Sequence, residues 1–228
     1  MFWDSTYVLV IIGAVICAIA SFNVNRVYNK FSKMNNARRL TAEEVAERML
    51  HNAGVYDVTI EHVRGNLTDH YSPSEKMLRL SDGVYGSTSV AALGIAAHEA
   101  GHALQHHQGY GPLKLRSISV PLANIGSKLS WPMILLGLVF GWIGLAQAGV
   151  VFFGFLVLFQ LITLPVEFNA SNRAIRVLRD QNLLVGEEVD GAGKVLKAAA
   201  LTYVAALFSA ILQLLRLVLL VRGNDRKR

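Results

Sequence analysis

Residues 96–107 read Ala-Ala-His-Glu-Ala-Gly-His-Ala-Leu-Gln-His-His and contain the pattern H-E-x-x-H. On a helix, residues four apart share a face, so His98 and His102 can each offer a nitrogen to one metal ion. Glu99 lies beside them, a carboxylate able to hold a water and take its proton. The chemistry that fits is metal-assisted hydrolysis. A solvated amphipathic helix could carry the same spacing, so the pattern needs support from elsewhere. The flanks favour helix: Ser87-Thr88-Ser89 offers an N-cap, Val90 to Ala103 is rich in Ala and Leu, and Gly109-Tyr110-Gly111-Pro112 stops it.

A catalytic zinc needs three protein ligands and an open position. In metzincins the third ligand is a histidine ten residues after the first; that position is Gln108 here, which excludes the subclass. His106 lies on the His102 face, but one helix turn climbs about 5.4 Å, too far to complete the same site easily. His106 and His107 therefore read as supporting or surface residues. The better candidate is Glu167, in Leu164-Pro165-Val166-Glu167-Phe168-Asn169-Ala170-Ser171-Asn172-Arg173-Ala174. Two apolar runs separate it from His98, and an even number of crossings returns the chain to the same side. The alternative is a boundary carboxylate paired with Arg173 or another arginine. If Glu167 starts a helix, Ala170 and Ser171 fall one turn on, facing the metal or the H-E-x-x-H helix.

The rest of the chain must position these groups. It has 228 residues, 53% of them hydrophobic, and a net charge of +6. The mean hydropathy is positive, and the apolar residues cluster in long runs, as in a membrane protein. The positive charge fits Lys and Arg flanking the spans, and no basic stripe interleaved with aromatics points to nucleic acid. The single cysteine, Cys17, excludes an intramolecular disulfide and a cysteine metal site.

Tyr7 to Phe22 is an apolar run preceded by Trp3 and Asp4. Arg26, Lys30, Lys33, Arg38 and Arg39 follow it, so it reads as a retained anchor with the next domain in the cytosol. Thr41-Ala42-Glu43-Glu44 is a capping box opening a short helix with Val45, Met49 and Leu50 on one face. Tyr56 to Ile60, Leu67 to Tyr71 and Lys76 to Leu80 read as strands of a small antiparallel sheet. An edge of that sheet could pair with an extended peptide, or the sheet could be only a scaffold. Leu115 to Ser130 reads as a helix approaching the bilayer. Trp131 to Leu145 and Val150 to Pro165 read as a helical hairpin joined at Ala146-Gln147-Ala148-Gly149. Leu201 to Val221 is a fourth candidate span. It holds Gln213 and Arg216, the latter near enough to one end to snorkel.

The segments His-Glu-Ala-Gly-His-Ala-Leu-Gln-His (98–106), Leu-Thr-Asp-His-Tyr-Ser-Pro (67–73) and Ala-Ala-Ala-Leu-Thr-Tyr-Val-Ala-Ala (198–206) resemble the YugP-like family of neutral zinc metallopeptidases of bacteria. The resemblance covers nearly the whole chain. The layout is also similar to HtpX-type and prenyl-protein-processing membrane metalloproteases, in which H-E-x-x-H is followed by a transmembrane hairpin and a glutamate. Those relatives read E-x-x-x-D after the hairpin, the aspartate orienting a zinc histidine. Ser171 stands at that position here, leaving Asn169, Asn172 or a backbone carbonyl as substitutes.

Together these readings give a mainly α, polytopic membrane protein. Its zincin-like cytosolic domain holds a small antiparallel sheet and the H-E-x-x-H helix. The expected organisation is an anchor (1–24), the zincin-like domain (25–117), a membrane-approaching helix with the hairpin (118–166), a third-ligand segment (167–200), and a fourth apolar helix with a basic tail (201–228). The expected activity is a gluzincin-type zinc metalloendopeptidase at the cytosolic face of the cell membrane. Zn²⁺ is held by His98, His102 and Glu167, and Glu99 acts as general base to the zinc-activated water and then as proton donor. Tyr203 is the candidate donor to the oxyanion, with an interfacial anchor as its alternative; His70 and Tyr71 are weaker candidates. Expected partners are membrane lipids and protein or peptide substrates, including membrane proteins. A membrane scaffold with a structural or inactive zinc site is the competing class, which Glu99 argues against. A transporter is disfavoured, because charged residues are scarce in the spans. Four crossings would put the basic tail outside, against the charge rule.

Overall fold

The computed structural model describes residues 5–225. Trp3, Asp4 and the tail residues 226–228 lie outside it. The elements run α1 (Tyr7–Phe31), α2 (Ala42–Asn52), β1 (Thr59–His62), β2 (His70–Ser72), β3 (Met77–Leu80), α3 (Val90–His107), α4 (Gly111–Val139), α5 (Ile143–Asp180) and α6 (Glu187–Asp225). Helices α1, α4, α5 and α6 are long and apolar enough to cross a membrane. Two compact units divide the chain. One holds the described residues through Ser21, Leu115–Leu164 and those from Leu201 on; the other holds Phe22–Lys114 and Pro165–Ala200.

In the first unit, α4 and α5 form a hairpin around Ile134 and Phe153, with Leu217 of α6 packed among them. The joint is Phe140-Gly141-Trp142, where Gly141 takes φ of +71°. The expected joint, Ala146 to Gly149, lies instead inside α5. Its small residues serve packing: Ala146 is fully buried, and a Cβ on Gly149 would stand 2.8 Å from the Ser130 carbonyl oxygen on α4. Small residues let two backbones approach closely, and in sequence that need looks like a turn signal. Both helices run through prolines, Pro121 and Pro132 in α4 and Pro165 in α5. Arg216 does not simply reach outward: its guanidinium stacks 4.4 Å from the Tyr7 ring centroid.

The second unit is built around α3. The Ser89 hydroxyl caps it by accepting from the Ala92 N–H at 3.2 Å. Ahead of it, α2 opens with the capping box of Thr41 and Glu44 and buries Val45, Ala46, Met49 and Leu50. These join Leu78 and Leu80 of β3 and Val90, Leu93 and Ala97 of α3 in one core. The sheet is mixed rather than antiparallel. Its order is β1-β3-β2, with β2 antiparallel and β1 parallel to β3. β3 takes the centre because it alone alternates fully buried leucines. Asp82, just after β3, explains how the chain reaches its far side. Its carboxylate meets His62 Nε2 at 2.7 Å and accepts the Gly65 N–H at 2.8 Å, carrying the β1–β2 connection past β3.

Helix α3 also packs closely on α5 and α6. A Cβ on Gly101 would lie 2.8 Å from the Ala170 carbonyl oxygen of α5, and one on Gly94 would lie 3.3 Å from the Ala192 Cβ of α6. Any side chain at Gly101 would push α5 away. The glycine is what brings Glu167 and Ser171 within reach of the histidines.

Candidate metal centre

His98 and His102 project from one face of α3, their rings 4.7 Å apart and nearly perpendicular at 83°. Glu167, on the first turn of α5 in this unit, is 3% exposed and reaches both. Its Oε2 lies 3.3 Å from His98 Nε2 and 3.6 Å from His102 Nε2. One ligand atom from each residue falls within 4.8 Å of the others. These separations are long for a charge-assisted hydrogen bond, which prefers about 2.7–2.9 Å. They suit donors sharing a tetrahedral ion: ligands at about 2.0–2.1 Å from zinc stand roughly 3.3 Å from one another. The donor set of two imidazoles and a carboxylate is that of a catalytic zinc with a position left open.

The surrounding hydrogen bonds aim the rings. Arg173 donates from Nε to Asn169 Oδ1 at 2.7 Å, so that atom is an acceptor. Gln105, fully buried, donates from Nε2 to Asn169 Oδ1 and to the Val166 carbonyl, both at 2.9 Å. With its amino group so used, Gln105 Oε1 accepts from His102 Nδ1 at 3.0 Å. His102 thus carries its proton on Nδ1 and turns a free lone pair on Nε2 toward Glu167. Ser171 Oγ lies 3.1 Å from His98 Nδ1 and anchors that ring in the same sense.

Arg173 also donates to the Gln108 side-chain oxygen Oε1 and lies over the Tyr110 ring. It serves the relay to His102, and Glu167 is engaged with the histidines. Burial alone would push the His102 pKa down, but contact with Glu167 and the charges of Glu99 and Glu167 outweigh it and raise the pKa.

A family model described as "Putative neutral zinc metallopeptidase" matches residues 6–222. The chain belongs to that zinc metallopeptidase family. It is 44% identical over 207 residues to "Putative membrane protease YugP" of Bacillus subtilis (strain 168), covering 90% of this chain and 92% of the relative. No solved structure matches the chain. Membership makes zinc the metal, and His98, His102 and Glu167 are the residues that fit it. The four apolar helices and the relative's name make this metallopeptidase a membrane protein.

The other residues singled out in the sequence fall as follows. Glu99 is half-buried on α3 beside His98. His106 and His107 are exposed, and His106 Nδ1 lies 2.9 Å from the Tyr71 hydroxyl of β2, outside the triad. His70 Nδ1 is held by the Thr68 carbonyl at 2.7 Å. Tyr203 is on α6 in the first unit and 41% exposed. Gln105 is the residue the sequence reading missed, although its position three after His102 was a usable signal. Ser171, read as a departure from E-x-x-x-D, is itself the partner of His98.

Gln105→Leu should lower zinc affinity about 10–100-fold, as loss of a ligand's outer hydrogen bond commonly does. Competition against a chelator of known affinity measures it. Unchanged affinity would mean that the relay from Arg173 does not orient His102.

Proposed function

We propose that this protein is a membrane metalloendopeptidase of the gluzincin type, with a zincin-like domain and its active site at the cytosolic membrane face. The observation that carries this reading is the convergence of His98, His102 and Glu167, with both outer ring nitrogens anchored and Glu99 left beside them. Held by His98, His102 and Glu167, zinc would supply a Lewis acid able to polarise the scissile carbonyl and acidify a water. Glu99 holds that water, takes its proton and delivers it to the leaving amine. His98, His102 and Glu167 keep their positions throughout. The outer edge of β2, beside α3, suits an extended substrate strand. A structural zinc site would have no use for Glu99, which weighs against the scaffold class.

The purified full chain should cleave an unfolded model protein. Chelation should abolish cleavage, and added zinc should restore it. Zinc-loaded protein with no cleavage of any unfolded substrate would favour a scaffold.

The cytosolic assignment rests on Arg26, Lys30, Lys33, Arg38 and Arg39 after the first apolar run. Reporters fused after Arg39 and after Arg179 should both read cytosol, and one at Gly141 the outer side. An outer signal after Arg39 would invert the orientation.

A further inference from the structure

Within the second unit, a groove of about 620 Å³ runs between the facing stripes of α5 and α6. Phe168 and Ser171 line one end, Arg176 and Arg179 the other, with Lys197 and Leu196 along the α6 wall. The lining includes three cationic side chains and no carboxylate. Arg176, Arg179 and Lys197 are exposed. None of the three forms a salt bridge with a described residue. Three like charges lining one groove with no ion-pair partner repel one another, and an anionic ligand relieves that. Ser171 links the groove to the metal centre: it lines the groove, and its Oγ contacts His98 Nδ1, the ring nitrogen turned away from Glu167. From Phe168 to Arg179 the helix rises roughly 16 Å, at about 1.5 Å per residue. An extended peptide covers that length in about five residues.

We propose that this groove is a substrate subsite for acidic polypeptide segments. It takes aspartate or glutamate side chains about three to five residues from the scissile bond. Arg176, Arg179 and Lys197 are its specificity determinants, and the apolar wall of Leu196, Ile175 and Phe168 carries the peptide's backbone and aliphatic parts. The inference rests on the peptidase reading for the meaning of "scissile", but the binding itself does not. A lipid headgroup is the less suitable occupant. The lining offers apolar side chains along its whole length as well as the three cations, which suits a polypeptide segment.

The test separates binding from turnover by using zinc-loaded Glu99→Gln full chain and fluorescent peptides. The peptides share one core sequence and carry either glutamate or glutamine at the outer positions, on either side. The acidic peptide should bind roughly tenfold more tightly at low salt, as two or three exposed ion pairs would give, and the advantage should shrink as salt rises. Arg176→Glu with Arg179→Glu should abolish or reverse the preference, weakening the acidic peptide far more than the neutral one. Gly193→Leu is the second variant. A Cβ there meets only Ile175 Cδ1 at 3.9 Å, ordinary contact, so the substitution adds bulk to the groove lining with no change of charge. It should weaken acidic-peptide binding as well.

Equal binding of both peptides to the unaltered groove, or a preference that survives charge reversal, would overturn the subsite. Stabilisation by phosphatidylglycerol nanodiscs that charge reversal removes, with no peptide preference, would assign the groove to lipid and also overturn it. Charge-dependent binding in a protein whose Glu99 form cleaves nothing keeps the groove and sinks the peptidase reading. Cleavage without charge-dependent binding does the reverse.

Discussion

Glu99→Gln should cut peptide cleavage by about 10²–10⁴-fold, the usual contribution of a general base, while zinc content stays at the wild-type level. Glu99 is not among the three converging donors, so its loss leaves the metal site intact. Glutamine is nearly isosteric and occupies the same half-buried position on α3, so packing gives no alternative cause. Zinc content and cleavage should be measured on one preparation, with complementation of a deletion strain beside them. Full complementation by Glu99→Gln, where the deletion fails, would detach the protein's role from hydrolysis at this site.

Glu167→Ala should remove most bound zinc. The carboxylate is nearly fully buried and faces both imidazoles, and two histidines alone make a weak site. Metal affinity and fold should fail to different degrees. Gly101 packing against Ala170 and the core around α3 do not depend on Glu167, so the protein should stay helical and membrane-inserted. Glu167→Gln should weaken binding less, since its amide oxygen remains a poor ligand. Full zinc occupancy in Glu167→Ala would place the third ligand elsewhere, and His106 and His107 would be the next to alter. Acidification should act in the same direction. Because the His102 pKa is raised without metal, protons compete with zinc from above the ordinary histidine range, and zinc affinity should fall as pH is lowered through it.

The parts of this account legible in sequence are those with local or periodic signals. The H-E-x-x-H spacing marks two donors whatever surrounds them, and the capping box of Thr41 and Glu44 and the N-cap at Ser89 mark helix starts. Glu167 was reachable because apolar runs count crossings. Features set by tertiary contact were not reachable. The hairpin joint was misread because Ala146 and Gly149 are small for close packing, which resembles a turn. Strand β1 was assigned the wrong direction because its pairing follows from Asp82 holding the β1–β2 connection, a long-range contact. Gln105 looked like one more polar residue on a helix. Its role appears only when Asn169 and Val166, more than sixty residues away, take its amino protons.

The central claim is that His98, His102 and Glu167 together hold one zinc ion. Anomalous diffraction from crystals of the full chain, collected on both sides of the zinc absorption edge, tests it most directly. The account predicts one strong peak per chain, bounded by the Nε2 atoms of His98 and His102 and the Glu167 carboxylate at about 2.0–2.2 Å. The peak should vanish in Glu167→Ala crystals and persist in Glu99→Gln crystals. A peak at His106 and His107, or a zinc-loaded protein with no peak beside Glu167, would contradict it.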